Sequence, residues 1–209
     1  MSSKINKATI QIRRDTAANW TSNNPTPKQG EWCLEKDTGY TKQGDGTTAW
    51  NSLEYSTNMV FGSFWGNDIG WTQVAVQNTW YNIVDAAISD GELNKVTHDG
   101  NGLLTVSEAG RYKIDYSASV ESSAQNKHIE IGIEISSSGA AEDCGIQHVH
   151  VPNVAAIAST EFAVSSIAII DLAVDDTVEV TVRTTDTGTP TITVDHINMT
   201  IVQIYKTIV

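Results

Sequence analysis

The chain has 209 residues, enough to build a sizeable hydrophobic core in one large domain or two small ones. Hydrophobic residues make up 40% of the sequence and charged residues 18%, a composition that excludes a disordered or fibrous protein. The net charge of −12 predicts an acidic surface that repels phosphate, so neither nucleic acid nor an anionic membrane is an expected partner.

Neither a signal peptide nor a membrane helix is predicted. Residues 1–14 lack an apolar run of signal-peptide length, and no stretch approaches the roughly 20 apolar residues of a membrane-spanning helix. We therefore expect the chain to fold in a reducing cytoplasm, where Cys33 and Cys144 are two free thiols. A disulfide between these two cysteines is the alternative.

Residues 1–57 are predicted to form a small β module punctuated by tight turns. A short helix is expected at residues 16–21. An Asp-Thr-Gly turn separates residues 31–35 from residues 40–43, and this arrangement predicts a β-hairpin.

Residues 58–68 are predicted to be an apolar connector between two domains. A flexible linker would consist of glycine and serine without bulky residues, whereas this glycine-rich segment contains Phe61, Phe64 and Trp65. One interpretation is that the three aromatic side chains close the core of a single domain. The sharper one is that they pack against a neighbouring chain as a trimer interface.

Residues 69–209 are predicted to contain longer strands. Apolar residues alternate with polar ones along residues 111–120, and the pattern returns in residues 128–135 and 178–182. Several strands of this kind, separated by turns, predict an all-β fold with an antiparallel β-sandwich.

The closing strand changes phase part of the way along. Its apolar side chains stand at even positions up to Val194 and at odd positions from Ile197 onward. A bulge near Asp195-His196 is therefore predicted, because it would let both sets of side chains face the core.

Several short runs near the N-terminus carry a family resemblance: Gln11–Thr21, Gly30-Glu31, Asp37–Gly39 and Gly44–Asn51. In order and spacing they are similar to a small module that recurs in bacteriophage tail fibres and tropism-determining proteins. The glycines allow turns with positive φ, and three tryptophans, Trp20, Trp32 and Trp50, supply a core for so small a domain. The resemblance implies a trimerising, knob-like base that does no chemistry.

A second resemblance covers residues 69–209. The runs Gly102–Ile114 and Leu172–Val180 resemble two strand regions of the complement/tumour-necrosis-factor jelly roll. That family implies a compact, trimeric β-sandwich, a fold that phages use on heads and fibres.

No catalytic site is predicted. The sequence contains no Gly-x-Ser-x-Gly elbow, and its histidines stand outside hydrolase motifs: His98, His128, His148, His150 and His196. Glu130 and Glu134 share a strand face, but four residues of strand place them about 13 Å apart. The two carboxylates of a glycosidase are about 5–9.5 Å apart, so this pair does not fit.

The motif His148-Val149-His150 places two imidazoles on one strand face, about 6.6 Å apart. On the threefold axis of a trimer, the two histidines of each chain would face a shared metal ion. The simpler interpretation is that both side chains form hydrogen bonds at the surface or at a subunit contact, so no metal or cofactor is expected. Four aromatic residues are likewise expected in the core or at trimer contacts rather than in a sugar-stacking platform: Trp65, Trp71, Trp80 and Tyr81.

The two resemblances together imply a non-enzymatic, homotrimeric structural protein on the surface of a tailed-phage virion, assembled in the host bacterial cytoplasm. We expect a capsid decoration protein or short head fibre that binds other virion proteins, such as the major capsid protein or tail and baseplate proteins. The head is favoured because the chain is short for a tail-fibre shaft. The alternative is a tail-fibre receptor-binding protein that contacts a host surface glycan or protein.

Overall fold

A computed structural model describes most of the chain, in the ranges 11–56, 59–136, 140–141, 145–152 and 161–206. The chain divides into two compact units, Met1–Asn58 and Met59–Val209. None of the helices in the described ranges has the length and apolar character to cross a membrane.

The first unit is a three-stranded sheet with one short helix. Its elements are β1 (Arg13–Asp15), α1 (Ala17–Asn23), β2 (Trp32–Glu35), β3 (Thr41–Gln43) and a 3₁₀ turn (Trp50–Ser52). β1 pairs with β2 in parallel, and β2 pairs with β3 as the predicted antiparallel hairpin, which is thus confirmed. The predicted helix is also confirmed: Thr16 caps α1, because its hydroxyl accepts the backbone N–H of Asn19 (3.3 Å).

Two stacked tryptophans form most of the core of the first unit. The rings of Trp20 and Trp50 lie 4.3 Å apart, and the indole N–H of Trp20 donates to the backbone oxygen of Leu34 (3.1 Å). Cys33 is fully buried beside them as a free thiol, and its burial raises the pKa of that thiol. Cys144, the other predicted free thiol, lies outside the described residues.

A buried lysine and a buried glutamate complete this unit. The Nζ of Lys42 donates to the backbone oxygen of Trp50 (2.9 Å) and lies over the rings of Trp50 and Tyr55. The carboxylate of Glu35 accepts hydrogen bonds from the hydroxyls of Tyr55 (2.8 Å) and Thr38 (2.5 Å). Each buried charge therefore has partners, as its removal from water requires.

The strands that the described residues of the second unit form are β4 (Phe61–Gly66), β5 (Trp71–Val74), β6 (Tyr81–Asn82), β7 (Ser89–Asn94), β8 (Val96–His98), β9 (Leu103–Val106), β10 (Gly110–Ser122), β11 (Lys127–Ile135), β12 (Ala140–Ala141), β13 (Gln147–Val151), β14 (Phe162–Leu172), β15 (Thr177–Thr184) and β16 (Thr191–Lys206). The front sheet has the order β14-β10-β16-β4-β7, with β5 also paired to β16. The back sheet has the order β12-β11-β15-β9-β8, with β13 paired to β11 and β6 to β15. The two sheets form the predicted β-sandwich around a single hydrophobic core.

The predicted alternation along the strands is confirmed. On β10, Tyr112 and Ile114 are fully buried, whereas Arg111, which points to the other side of the strand, is exposed. The apolar residues predicted to face inward on β11 and β15 are also buried: Ile129, Ile131, Ile133, Ile135, Val178, Val180 and Val182. The period of two thus identified the core side of β10, β11 and β15.

The predicted bulge is confirmed where β16 pairs with β10. Ala118 stands opposite Ile197 and Val120 opposite Val194, so that two residues of β16 face Ser119 alone. The backbone N–H of His196 donates to the Ser119 hydroxyl (3.0 Å), which satisfies a donor that the bulge removes from the ladder.

The segment expected to be an apolar connector, residues 58–68, is instead largely a strand. β4 lies between β16 and β7 in the front sheet. Its glycines serve close packing rather than flexibility, because a Cβ atom on Gly62 would lie 2.6 Å from Val96 Cγ1. A Cβ atom on Gly66 would meet Ile69 Cγ2 at the same 2.6 Å. The glycines here leave room for core side chains.

Candidate functional site

The outer surface of the front sheet, called the front face below, is the candidate interaction surface. A row of side chains crosses it from β14 through β10 and β16 to β4: Ser165, Ser117, Asn198 and Trp65. Trp65 is 46% exposed at one margin of this face. At the other margin, Ile167 and Ile169 of β14 are 60% and 57% exposed.

Short side chains in the middle of the front face leave two shallow grooves. One has a volume of about 650 Å³ and is lined by residues that include Ser117, Ile167 and Thr200. The other has a volume of about 430 Å³ and lies between Trp65 and His196. The face therefore has exposed apolar side chains on both sides of two grooves that are lined mainly by small residues. Large side chains of a partner can pack into these grooves.

The three residues predicted to form a trimer interface do not share one surface. Phe64 points into the sandwich and is fully buried in its own chain. Phe61 and Trp65, at the alternate positions of β4, lie on the front face, where Phe61 is half-buried. Only these two are placed where a neighbouring chain can contact them.

Sequence reasoning did not single out Ile167 and Ile169. A signal for them is present in the sequence, because Ile167, Ala168, Ile169 and Ile170 are apolar at successive positions of β14. A strand that is apolar on both faces is typical of one whose two faces are both covered. Ala168 is buried in the core, so one face of β14 is covered. Ile167 and Ile169 on the other face are exposed, and nothing in the single subunit covers them.

A serine, a histidine and two carboxylates lie near the bulge at one end of the front face. The Ser119 hydroxyl is 3.3 Å from His196 Nδ1, and His196 Nε2 is 3.7 Å from Asp68. Glu161 is 3.4 Å from the same Nδ1 atom that faces Ser119. Ser119 is only 7% exposed and already accepts the His196 backbone N–H, so its hydroxyl holds the bulge.

The histidines of the His-x-His motif lie on the outer surface of the back sheet, the back face. His148 Nδ1 is 3.1 Å from the carboxylate of Glu130, and the His150 ring packs at 4.6 Å against the ring of His128. Within the described ranges, no group of three or more histidine, cysteine or acidic side chains is arranged to hold a metal ion. The back and front faces point away from each other, so a threefold axis at Trp65 would not pass between these histidines.

The glutamates considered for glycan hydrolysis have other partners on the back face. Glu130 is 7% exposed and accepts two hydrogen-bonding contacts from the Arg183 guanidinium at 2.6 and 2.5 Å. Glu134 stands directly opposite Glu179 of β15. The burial of Glu179, together with the charges of Glu134 and Asp99, raises the pKa of the Glu179 carboxyl to about 7.

The aromatic residues weighed as a sugar-stacking platform are dispersed. Trp71 is buried in the core, whereas Trp65 is exposed on the front face. The Arg183 guanidinium carbon lies over the Trp80 ring, 4.4 Å from the centre of that ring. The Tyr81 hydroxyl accepts a hydrogen bond from the backbone N–H of Val76 (3.1 Å). The structure therefore does not bring the four rings onto one surface.

Solved structures similar to this chain are proteins of the tumour-necrosis-factor and complement type. Eiger TNF from S. frugiperda is 12% identical with a TM-score of 0.49, and the match covers 73% of this chain and 96% of that one. The globular domain of zebrafish complement 1qA is 15% identical with a TM-score of 0.49, covering 71% and 99%. Murine APRIL is 9% identical with a TM-score of 0.44, covering 70% and 99%. At these identities the likeness concerns the fold alone.

The first unit matches a family by sequence. Residues 10–48 match the family model of the major tropism determinant N-terminal domain, which confirms the first resemblance. The search of curated proteins found no match to this sequence. The matched domain is one of phage tropism determinants, which indicates a tail-fibre-like phage protein.

Proposed function

We propose that the protein is a homotrimeric structural protein on the surface of a tailed-phage virion, a capsid decoration protein or short head fibre. The observation that carries this proposal is the tropism-determinant module in the same chain as a sandwich with an exposed, partly apolar front face. Its partners are two further copies of itself and other virion proteins, either the major capsid protein or tail and baseplate proteins.

The front face supports the trimer. Trp65, Ile167 and Ile169 are about half exposed or more in the single subunit. Contact with a neighbouring chain would bury these large apolar side chains and so stabilise the trimer. Full burial of one such side chain contributes roughly 1.5–3 kcal/mol. Phe61 extends the same surface, so the interface consists of Phe61 and Trp65 from β4 together with the two isoleucines of β14.

We further propose that the N-terminal module, residues 1–57, anchors the protein and that the sandwich, which with β4 spans residues 59–209, points outward. A fibre base is the role that the module has in the family it resembles. Loops at the free end of a sandwich are exposed and tolerate variation, which suits the distal end. This polarity is tested by offering residues 1–57 and residues 59–209 as separate pieces to particles that lack the protein. The 1–57 piece is expected to bind. If only the C-terminal piece binds, the sandwich is the anchor and the proposed polarity is wrong.

The second candidate is a tail-fibre receptor-binding protein that contacts a host surface glycan or protein. The match of the N-terminal module to a tropism determinant favours it. Electron microscopy of virions labelled with an antibody to this protein distinguishes the two candidates. Label on the head supports decoration, and label at the tail tip supports receptor binding.

Native mass spectrometry tests the trimer and its interface. We expect a trimer for the wild type and dissociation for Ile167→Asp, because the substitution places a charge in the buried interface. Val84→Asp is the matched control, since Val84 is 48% exposed and lies outside the front face. A stable wild-type monomer at micromolar concentration contradicts the proposal, and so does equal dissociation of both variants.

A further inference from the structure

Two glutamates stand directly opposite each other on the back face. Glu134 of β11 pairs with Glu179 of β15, and the neighbours of Glu179 in β15, Val178 and Val180, are buried in the core. Facing Cβ atoms on adjacent antiparallel strands are about 5 Å apart, and like charges in that position destabilise the pair. The buried valines fix the register, so the two carboxyl groups cannot move apart by a strand slip.

A third carboxyl group holds the neighbouring turn between β8 and β9. Asp99 Oδ1 accepts the backbone N–H groups of Asn101 (2.8 Å) and Leu103 (3.1 Å). Leu103 in turn is the strand partner of Glu179 in the back sheet. The carboxylate that shapes the turn therefore lies in the electrostatic field of Glu179.

The other elements around Glu179 contribute little compensating charge. β6 supplies Asn82, which is neutral and forms a hydrogen bond with the Glu179 carboxyl. β9 supplies the apolar Leu103. On β15 itself, Arg183 lies on the same face but is engaged by Glu130.

One histidine lies behind the turn. His98 Nε2 is 3.8 Å from Asp99 Oδ1, and the backbone N–H of Gly102 donates to the same Nε2 atom (2.9 Å). Nδ1 of the same ring faces Asp90 at 2.5 Å. Hydrogen bonds from the backbone N–H groups of Asn101 and Leu103, and then the charge of His98, lower the pKa of the Asp99 carboxyl.

We propose that the Glu179 carboxyl group is a proton-controlled switch for the β8–β9 turn at residues 99–102. In its neutral form it does not repel Glu134 or Asp99, and the turn stays packed on the back sheet. In its charged form it repels the carboxylates of Glu134 and Asp99, and the turn opens more often. The turn connects β8 to its antiparallel partner β9 at the edge of the back sheet.

The direction of the pH effect follows from the folded-state pKa of Glu179. Burial first, and then the charges of Glu134 and Asp99, raises that pKa from 4.5 to about 7. The stabilising contribution is therefore fully present below about pH 4.5 and is lost as the pH rises through about 7.

Hydrogen exchange followed by mass spectrometry tests the switch in the full-length protein. In peptides that span residues 96–106, we expect protection at pH 8.5 to be roughly tenfold lower than at pH 5.5, after correction for intrinsic exchange rates. Glu179→Gln is expected to change less than about twofold between the two pH values. Glu92→Gln, an exposed position of β7 with the same loss of charge, is expected to behave like the wild type. Equal wild-type protection at both pH values overturns the proposal, as does a full pH response in Glu179→Gln.

A direct titration covers the case in which Glu179→Gln does not fold. The carboxyl carbon of Glu179, followed by NMR, is expected to titrate near pH 7 in the wild type and at lower pH in Glu134→Gln. A wild-type midpoint near 4.5, or a midpoint unchanged by Glu134→Gln, overturns the proposal.

Discussion

In the first unit the buried apolar core consists, among the described residues, of Trp20, Cys33 and Trp50. In the second unit a continuous layer of aliphatic and aromatic side chains from both sheets is buried. The first unit adds a buried lysine and glutamate with specific partners, whereas the second has apolar groups over most of its interior. A small unit thus depends on a few large rings and exact polar contacts, while a larger one distributes its stability over many residues.

Trp50→Ala provides the largest expected difference between the units. Removing a fully buried tryptophan costs about 3–5 kcal/mol, which a core of three residues cannot absorb. We expect the first unit to unfold while the second stays folded. Differential scanning calorimetry, with one transition lost and one retained, is the measurement. Loss of both transitions would show that the two units are not independently stable.

Phe64→Ala and Trp65→Ala compare two neighbours on opposite sides of β4. Phe64 is fully buried in its own chain, so its loss is expected to cost about 3–5 kcal/mol of subunit stability. Trp65→Ala is expected to weaken the trimer and to make the melting temperature depend more steeply on protein concentration. If Trp65→Ala instead lowers the melting temperature equally at all protein concentrations, Trp65 stabilises only the subunit to which it belongs and not the trimer interface.

Lys42→Met tests the polar contacts of the first unit. The substitution keeps the approximate length of the side chain but removes one of two donors to the Trp50 backbone oxygen, which keeps only the N–H of Leu53 (3.2 Å), and it leaves Glu35 without a nearby cation. We expect a loss of about 1–3 kcal/mol in the stability of the first unit, measured by urea denaturation. Lys36→Met, at an exposed position, is the control and is expected to stay within about 0.5 kcal/mol of the wild type.

Cys33 provides the smallest expected effect. Its thiol is fully buried and its pKa is raised by that burial, so both access and thiolate formation are suppressed. We expect iodoacetamide to label Cys33 only after denaturation, as located by peptide mass spectrometry. Rapid labelling in the native protein would mean that the core of the first unit opens readily.

Local pattern predicted several elements of this fold. The helix after Thr16, the hairpin on either side of the Asp-Thr-Gly turn, and the alternation along β10 and β11 were all predicted. Even the bulge at Asp195-His196 followed from a change of parity, because a strand can bury both sets of side chains only if it gains a residue. The tropism-determinant module was likewise recognisable from the order of its short motifs.

Close packing decided what the pattern could not. β4 resembled a connector because it is rich in glycine, and only the approach of Val96 to Gly62 explains those glycines as core positions. The front face required the sheet order, since Trp65 and Ile167 share a surface only because β10 and β16 lie between their strands.

The sequence by itself determined which side of β10, β11 and β15 is buried, because alternation of apolar and polar side chains is a property of each of these strands alone. The tertiary structure alone decided which strands are neighbours and in what register. That register placed Glu134 against Glu179 and Ser119 against the His196 bulge, contacts between residues far apart in the chain. Neighbour choice depends on side-chain packing between distant segments, and this information is absent from the period of any single strand.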